Sequence, residues 1–277
     1  MTRRFLRFVL LVLLNWGLAP LLWAQPGLSR SAARLIGFAI GMRSDSSLQA
    51  VALPAWFPVE PNRTSIRLSL INRYGLGAMT EWVSGVQCPL RSSTICGDVY
   101  VVGDGAYRMH IGQVGLAKKL MGSWQLRADL GYTQVRAAGY GSSGAPRVAV
   151  SFAGTLDPST WIGMQWENPQ ALIGSKSILN YSAPRIRAGM VRAISDRLVL
   201  LGWMEWERAS GSGLYLQGSY RPGQHWSFDL GWGRAPDQLC LGVQRLFDRA
   251  VWRTAFSQDP VLGASFLCSY AWLIRSK

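Results

Sequence analysis

Few residues in this sequence carry reactive side chains. His225, Ser227 and Asp229 alternate along one segment and hold the parts of an acyl-transfer triad, with Ser227 as the nucleophile of a lipid hydrolase or acyltransferase. Same-face neighbours on a strand stand roughly 6.6–7 Å apart, too far for a direct Ser–His hydrogen bond unless an adjacent strand contributes. Catalysis is therefore the weakest reading, and a non-enzymatic protein is expected. The other histidine, His110, is also on a polar face and is expected in a hydrogen-bond network of the lumen. Two distant histidines and no close Cys–His or carboxylate set at ligand spacing give no basis for a metal, and no cofactor is expected. Cys88 and Cys96 flank a polar stretch, PLRSSTI, which points to a disulfide across a loop, with two free thiols as the alternative.

Arginine is the more frequent chemical group. Arg67, Arg73, Arg127, Arg147, Arg185, Arg187 and Arg221, with Gln217, recur on polar faces, and Asp129, Asp229, Glu205 and Glu207 are candidate partners. Such a set could bind a fatty-acid carboxylate, a lipid phosphate or an acidic peptide. It could equally form an Arg–carboxylate network that fills and stiffens a narrow interior. The basic members outnumber the acids, so some arginines are expected to need another anion.

What positions these groups follows from the composition. The 277 residues are 49% hydrophobic and 16% charged, with 30 Gly and a net charge of +14. Chains this basic are usually polar binders of nucleic acid, but here the basic residues alternate into strands and form no run or helical face. Residues 1–24 read as a signal peptide: Arg3, Arg4 and Arg7, then an apolar core, then Leu22-Trp23-Ala24. The alternative is a membrane anchor, weakened by Asn15, Gly17 and Pro20. Removal leaves 26 basic against 15 acidic residues, or +11. Beyond Ala24 no run approaches the roughly 18 apolar residues of a membrane helix.

From about residue 64 the chain alternates with period two. Trp124, Leu126, Ala128, Leu130 and Tyr132 interleave with Gln125, Arg127, Asp129 and Thr133, and similar segments recur to residue 274. Aromatics gather toward the ends of the apolar faces: Trp124 and Tyr132, Trp226 and Trp232, Trp203 and Trp206, Trp161 and Trp166. Arginine and aspartate occupy strand centres on the other face, as a wet interior would require. The pattern predicts an all-β, transmembrane antiparallel β-barrel of about 14 strands over residues 64–277, closed because an open edge in lipid leaves backbone groups unpaired. Residues 25–63, with a weak strand at 33–41, form a hatch-like segment, and 139–146 and 169–184 read as longer loops. Lipid of the cell outer membrane is the expected environment, with no nucleic-acid partner.

Short motifs add a family resemblance. Gly37 and Gly41, Asp45-Ser46-Ser47 and Leu53-Pro54-Ala55 look like the N-terminal hatch of the Bacteroidetes outer-membrane barrels related to the long-chain fatty-acid transporters (FadL), a group that includes PorV and PorQ of type IX secretion. Gly163 with Asn168-Pro169, Arg187-Ala-Gly189 and Leu214-Tyr-Leu-Gln-Gly-Ser-Tyr220-Arg221 look like that group's hairpin positions. The resemblance implies a secretion- or assembly-associated component that binds other outer-membrane proteins. Alternatively, it implies a FadL-like transporter of fatty acids or other amphipathic anions.

Overall fold

The computed structural model describes residues 38–40, 52–54, 64–72, 80–169, 184–207, 211–234, 238–248, 250–259 and 263–274. The signal segment 1–24, most of the hatch segment 25–63 and its motifs, Arg73, and most of loop 169–184 lie outside them. Two short strands, β1 (Phe38–Ile40) and β2 (Ala52–Pro54), pair with each other as a separate antiparallel ribbon.

Fourteen strands then follow in chain order: β3 (Thr64–Asn72), β4 (Thr80–Pro89), β5 (Ser93–Gly103), β6 (Tyr107–Lys119), β7 (Gln125–Ala137), β8 (Gly141–Asp157) and β9 (Thr160–Glu167). The second half is β10 (Arg185–Ala193), β11 (Leu198–Glu207), β12 (Gly211–Tyr220), β13 (Trp226–Arg234), β14 (Gln238–Phe247), β15 (Ala250–Asp259) and β16 (Gly263–Ile274). Each pairs antiparallel with its sequence neighbours, and β16 pairs with β3, so the sheet is a closed barrel. At that seam Leu267 lies opposite Ile71, and the Ser69 and Ser269 hydroxyls meet at 2.8 Å. Closure leaves no strand edge in lipid, which is the condition for crossing a bilayer with strands.

The barrel has two unlike edges. At the edge where β3 begins and β16 ends, here the terminal edge, the connections are two to five residues long. The opposite edge carries the longest link, residues 168–184. Short turns face the periplasm and long loops face outward in barrels of this type, which orients the chain. The start of the long link is set by Asn168, whose φ of 53° is the left-handed conformation asparagine tolerates best among residues with a side chain. Its Oδ1 accepts from the Val148 amide at 3.2 Å.

Alternation sorts the side chains cleanly. Leu68, Trp82, Leu130, Met204, Leu230 and Phe266 are more than half exposed on the outer wall, an apolar surface far larger than a water-soluble monomer carries. Aromatics ring both edges: Trp82, Trp166, Trp206 and Trp232 toward the loop edge, Tyr220, Trp226 and Trp272 toward the terminal edge. Among the described strand residues the acid on the outside is Asp157, fully exposed at the terminal-edge end of β8 beyond its bulge, where it accepts from Ser159. The outward basic groups are Arg108, His110, Lys118, Arg136, Arg192, Arg234 and Arg245, all near strand ends. A cation at the bilayer midplane costs about 2–4 kcal/mol and almost nothing near the interface, which explains where they sit.

Three expectations change. The stretch 139–146 is not a loop: β8 starts at Gly141, and Gly139 and Gly141, with φ of 78° and 83°, make a tight hairpin around Tyr140. The stretch between Cys88 and Cys96 is strand too, since only residues 90–92 separate β4 from β5. Trp161 and Trp203 do not join an aromatic girdle, because they face inward.

Candidate functional site

The inner wall has a charged part and an apolar part. On the charged part, β3, β5, β6 and β7 bring Arg67, Asp98, Gln113, Arg127 and Asp129 together. Asp98 accepts from Arg67 Nη2 at 3.2 Å, Gln113 Nε2 at 3.2 Å and Arg127 Nη2 at 3.4 Å. Arg127 Nε donates to both oxygens of Asp129, two residues along the same face, at 2.8 and 2.9 Å. A glycine opposite makes the room: a Cβ on Gly115 would sit 1.9 Å from Asp129 Oδ1.

A second cluster spans β8 to β11. Arg185 reaches three carboxylates, Glu167 at 3.2 Å, Glu205 at 3.2 Å and Glu207 at 2.8 Å. Arg187 bonds Glu205 at 3.0 Å and donates to Gln165 Oε1 at 2.7 Å, and Arg147 pairs with Glu167. A third pair, Arg253 with Asp229 at 3.0 Å, joins β15 to β13. Buried charges persist only when paired, and each of these has a partner of opposite charge.

Among the described residues six arginines thus meet six carboxylates, which corrects for these residues the expectation that some arginines lack a partner. The basic surplus of the described strands lies on the outer wall at both edges.

The apolar part is less expected, because interiors of such barrels are polar. Trp203 of β11 stacks on Tyr215 of β12, with ring centroids 4.9 Å apart and planes at 18°. The two are register partners, and Trp203 is also the partner of Gly189, where a Cβ would lie 2.7 Å from the indole's own Cβ. Glycine at 189 gives Trp203 its place. Val191, Val199 and Leu201 continue the patch on one side, and Cys240, Ala255, Leu267, Ile71 and Val83 carry it across the seam. These side chains are buried, Tyr215 completely.

The predicted site residues divide accordingly. Arg67, Arg127, Arg147, Arg185, Arg187, Gln217, Asp129, Asp229, Glu205 and Glu207 all face the interior. Arg221 instead falls in the turn after β12, where partial burial lowers its pKa. The predicted disulfide is absent: Cys96 points inward opposite Gln87, whereas Cys88 points outward opposite Ile95, and both are free thiols. An offset of one residue puts their side chains on opposite sides of the wall.

No triad assembles either. His225 lies in the turn before β13, the Ser227 hydroxyl is 2.9 Å from that of Ser219, and Asp229 is held by Arg253. His110 sits on the outward face of β6 with Arg108 and Val114, not in the interior. Asp98, Glu167 and Arg253 were not picked out by sequence, although each is in phase with polar residues on its own strand. Trp203 shares parity with Glu205 and Glu207, a signal that its apolar neighbours obscured.

No protein-family model and no curated protein matches the chain. Solved structures do match in fold. The toluene transporter TodX of Pseudomonas putida superposes with a TM-score of 0.58 at 9% identity, covering 87% of this chain and 93% of that one. The CymD monoaromatic hydrocarbon channel gives 0.56 at 12% identity, covering 77% and 88%. A FadL homologue of Pseudomonas aeruginosa gives 0.51 at 12% identity, covering 77% and 90%. The fold of this chain is that of a fourteen-stranded outer-membrane β-barrel similar to those channels.

Proposed function

We propose that the protein carries hydrophobic or amphipathic small molecules across the outer membrane. The observation behind this reading is the inward apolar patch around Trp203 and Tyr215. An apolar solute needs a path inside the barrel that does not force it to displace bound water from charges, and among the described residues this patch, closely packed as it stands, is the apolar part of the inner wall. The charged clusters beside it are internally matched and serve as scaffold. Likeness of fold to a toluene transporter and a monoaromatic hydrocarbon channel supports the same substrate class.

The test is uptake of radiolabelled toluene and oleate by cells that lack their own hydrophobic transporters and express this chain. Uptake above that of empty cells, reduced in a Leu201→Gln/Leu267→Gln variant that still folds, is the expected result. Uptake equal to empty cells overturns the proposal. A secretion- or assembly-associated role of the PorV/PorQ type rests on the short hairpin motifs, of which Gly189 and Asn168 have structural tasks here. Recovery of secretion components from solubilised membranes, without uptake, would favour that role.

A further inference from the structure

The outer wall carries a feature that transport through the interior does not use. Between β11 and β16, on the lipid side, lies an apolar hollow of about 680 Å³. Phe228, Leu230, Leu241 and Phe266 form its sides, each about half exposed. Its floor is low because Gly218 faces outward there without a side chain.

Immediately toward the terminal edge, Arg245 follows the hollow's Val243 on the same face of β14. Its guanidinium lies 5.0 Å from the ring centroids of both Trp226 and Phe247. Trp226 is its register partner and lies two residues from Phe228 on β13. Arg245 makes no ion pair among the described residues, unlike the six arginines of the inner wall. Arg197 and Arg221 adjoin the same end of the hollow, Arg197 ending the turn before Leu198 and Arg221 starting the turn after Tyr220, and the Arg221 amide donates to the Arg197 carbonyl at 2.7 Å. Asp196 and Asp248 also occupy turns at this edge, so the local excess is small and Arg245 is its best-positioned member.

We infer that this surface is a binding site for one glycerophospholipid of the periplasmic leaflet, with an acyl chain in the hollow and the phosphate on Arg245. Three physical facts agree on that occupant. The hollow is apolar and opens to lipid, which excludes water as its filling. The cation lies at the depth of the aromatic girdle, where phosphates reside. The two rings fix the guanidinium in place, so little rotamer freedom is lost when it meets a phosphate.

The test uses the intact barrel purified in detergent and titrated with palmitoyl-oleoyl phosphatidylglycerol, with bound lipid counted by native mass spectrometry. Wild type retains one lipid more tightly than the rest. Arg245→Gln weakens that lipid about five-fold, the equivalent of about 1 kcal/mol per basic residue at a lipid surface. Gly218→Leu fills the hollow and weakens it as well; the added Cβ meets only Leu200 Cδ2, at 3.7 Å, so the wall is not displaced. Arg234→Gln, at the opposite edge, leaves it unchanged, and millimolar inorganic phosphate does not compete. Heat-modifiable gel migration confirms that each variant is folded. The inference is overturned if Arg245→Gln and Gly218→Leu both bind as wild type, if Arg234→Gln loses as much, or if inorganic phosphate displaces the lipid.

Discussion

Two parts of one inner wall, made from the same alternating strands, solve opposite problems. From β5 to β10 the inward positions hold Asp98, Arg127, Asp129, Arg147, Glu167, Arg185 and Arg187, each tied to a neighbour of opposite charge. From β11 across the seam to β4 they include the contiguous apolar cluster of Leu201, Trp203, Tyr215, Leu267, Ile71 and Val83, with the Arg253–Asp229 pair set apart from it. The charged part gains rigidity from specific bonds and has no net charge left with which to attract a ligand. The apolar part has few specific bonds and is therefore suited to solutes that make none. Proximity to the interior does not by itself make a residue functional; what separates the two parts is whether their side chains are already satisfied.

Substitutions should separate scaffold from contact surface. The largest effect is expected for Arg185→Leu, which leaves Glu167, Glu205 and Glu207 without their shared cation. Breaking a buried pair this way costs about 3–5 kcal/mol, readable as a lowered urea midpoint in lipid vesicles, while uptake per folded molecule stays near wild type. Trp203→Ala should cost about 3 kcal/mol and also depress uptake, because it removes both the stacking partner of Tyr215 and the centre of the apolar surface. If uptake survives Trp203→Ala but fails in Arg185→Leu, the assignment of the two parts is reversed. Gly115→Ala should cost about 1–3 kcal/mol by pushing Asp129 off Arg127, again without a specific loss of uptake. The smallest effect belongs to Ser227→Ala, about 1 kcal/mol for its bond to Ser219, with no change in uptake and none in any lipid hydrolysis assay.

The fold was legible because lipid imposes a strict rule on the outer wall. Every outward position at strand centres had to be apolar or small, so period two stood out wherever the inner face was polar, as at Arg127 and Asp129. The same rule failed where the inner face was also apolar. In β11 the run Val199-Leu200-Leu201-Gly202-Trp203 gives no contrast between faces, and only Glu205 and Glu207 fix its phase. Hence the charged inner residues stand out in the sequence, whereas Trp203 reads as part of an aromatic girdle and its apolar neighbours carry no signal. Cys88 and Cys96 failed for a different reason: spacing alone cannot distinguish a loop from a hairpin, and their even separation was broken by the three-residue turn between β4 and β5. The partners Asp98 and Glu167 come from strands adjacent in space, which a search along one segment does not join.

The seam has a consequence for how such a chain enters a membrane. The inner ion pairs named above link residues on the same strand or on strands within two places of each other, and none of them crosses from β16 to β3. The charges can therefore cancel while the sheet is still growing hairpin by hairpin. At the final join Ser69 meets Ser269 and Leu267 lies beside Ile71, while the charge there, Arg67 opposite Ala271, is already held by Asp98 of β5. Biogenesis can thus zip the last two strands together without a bare charge at the joint.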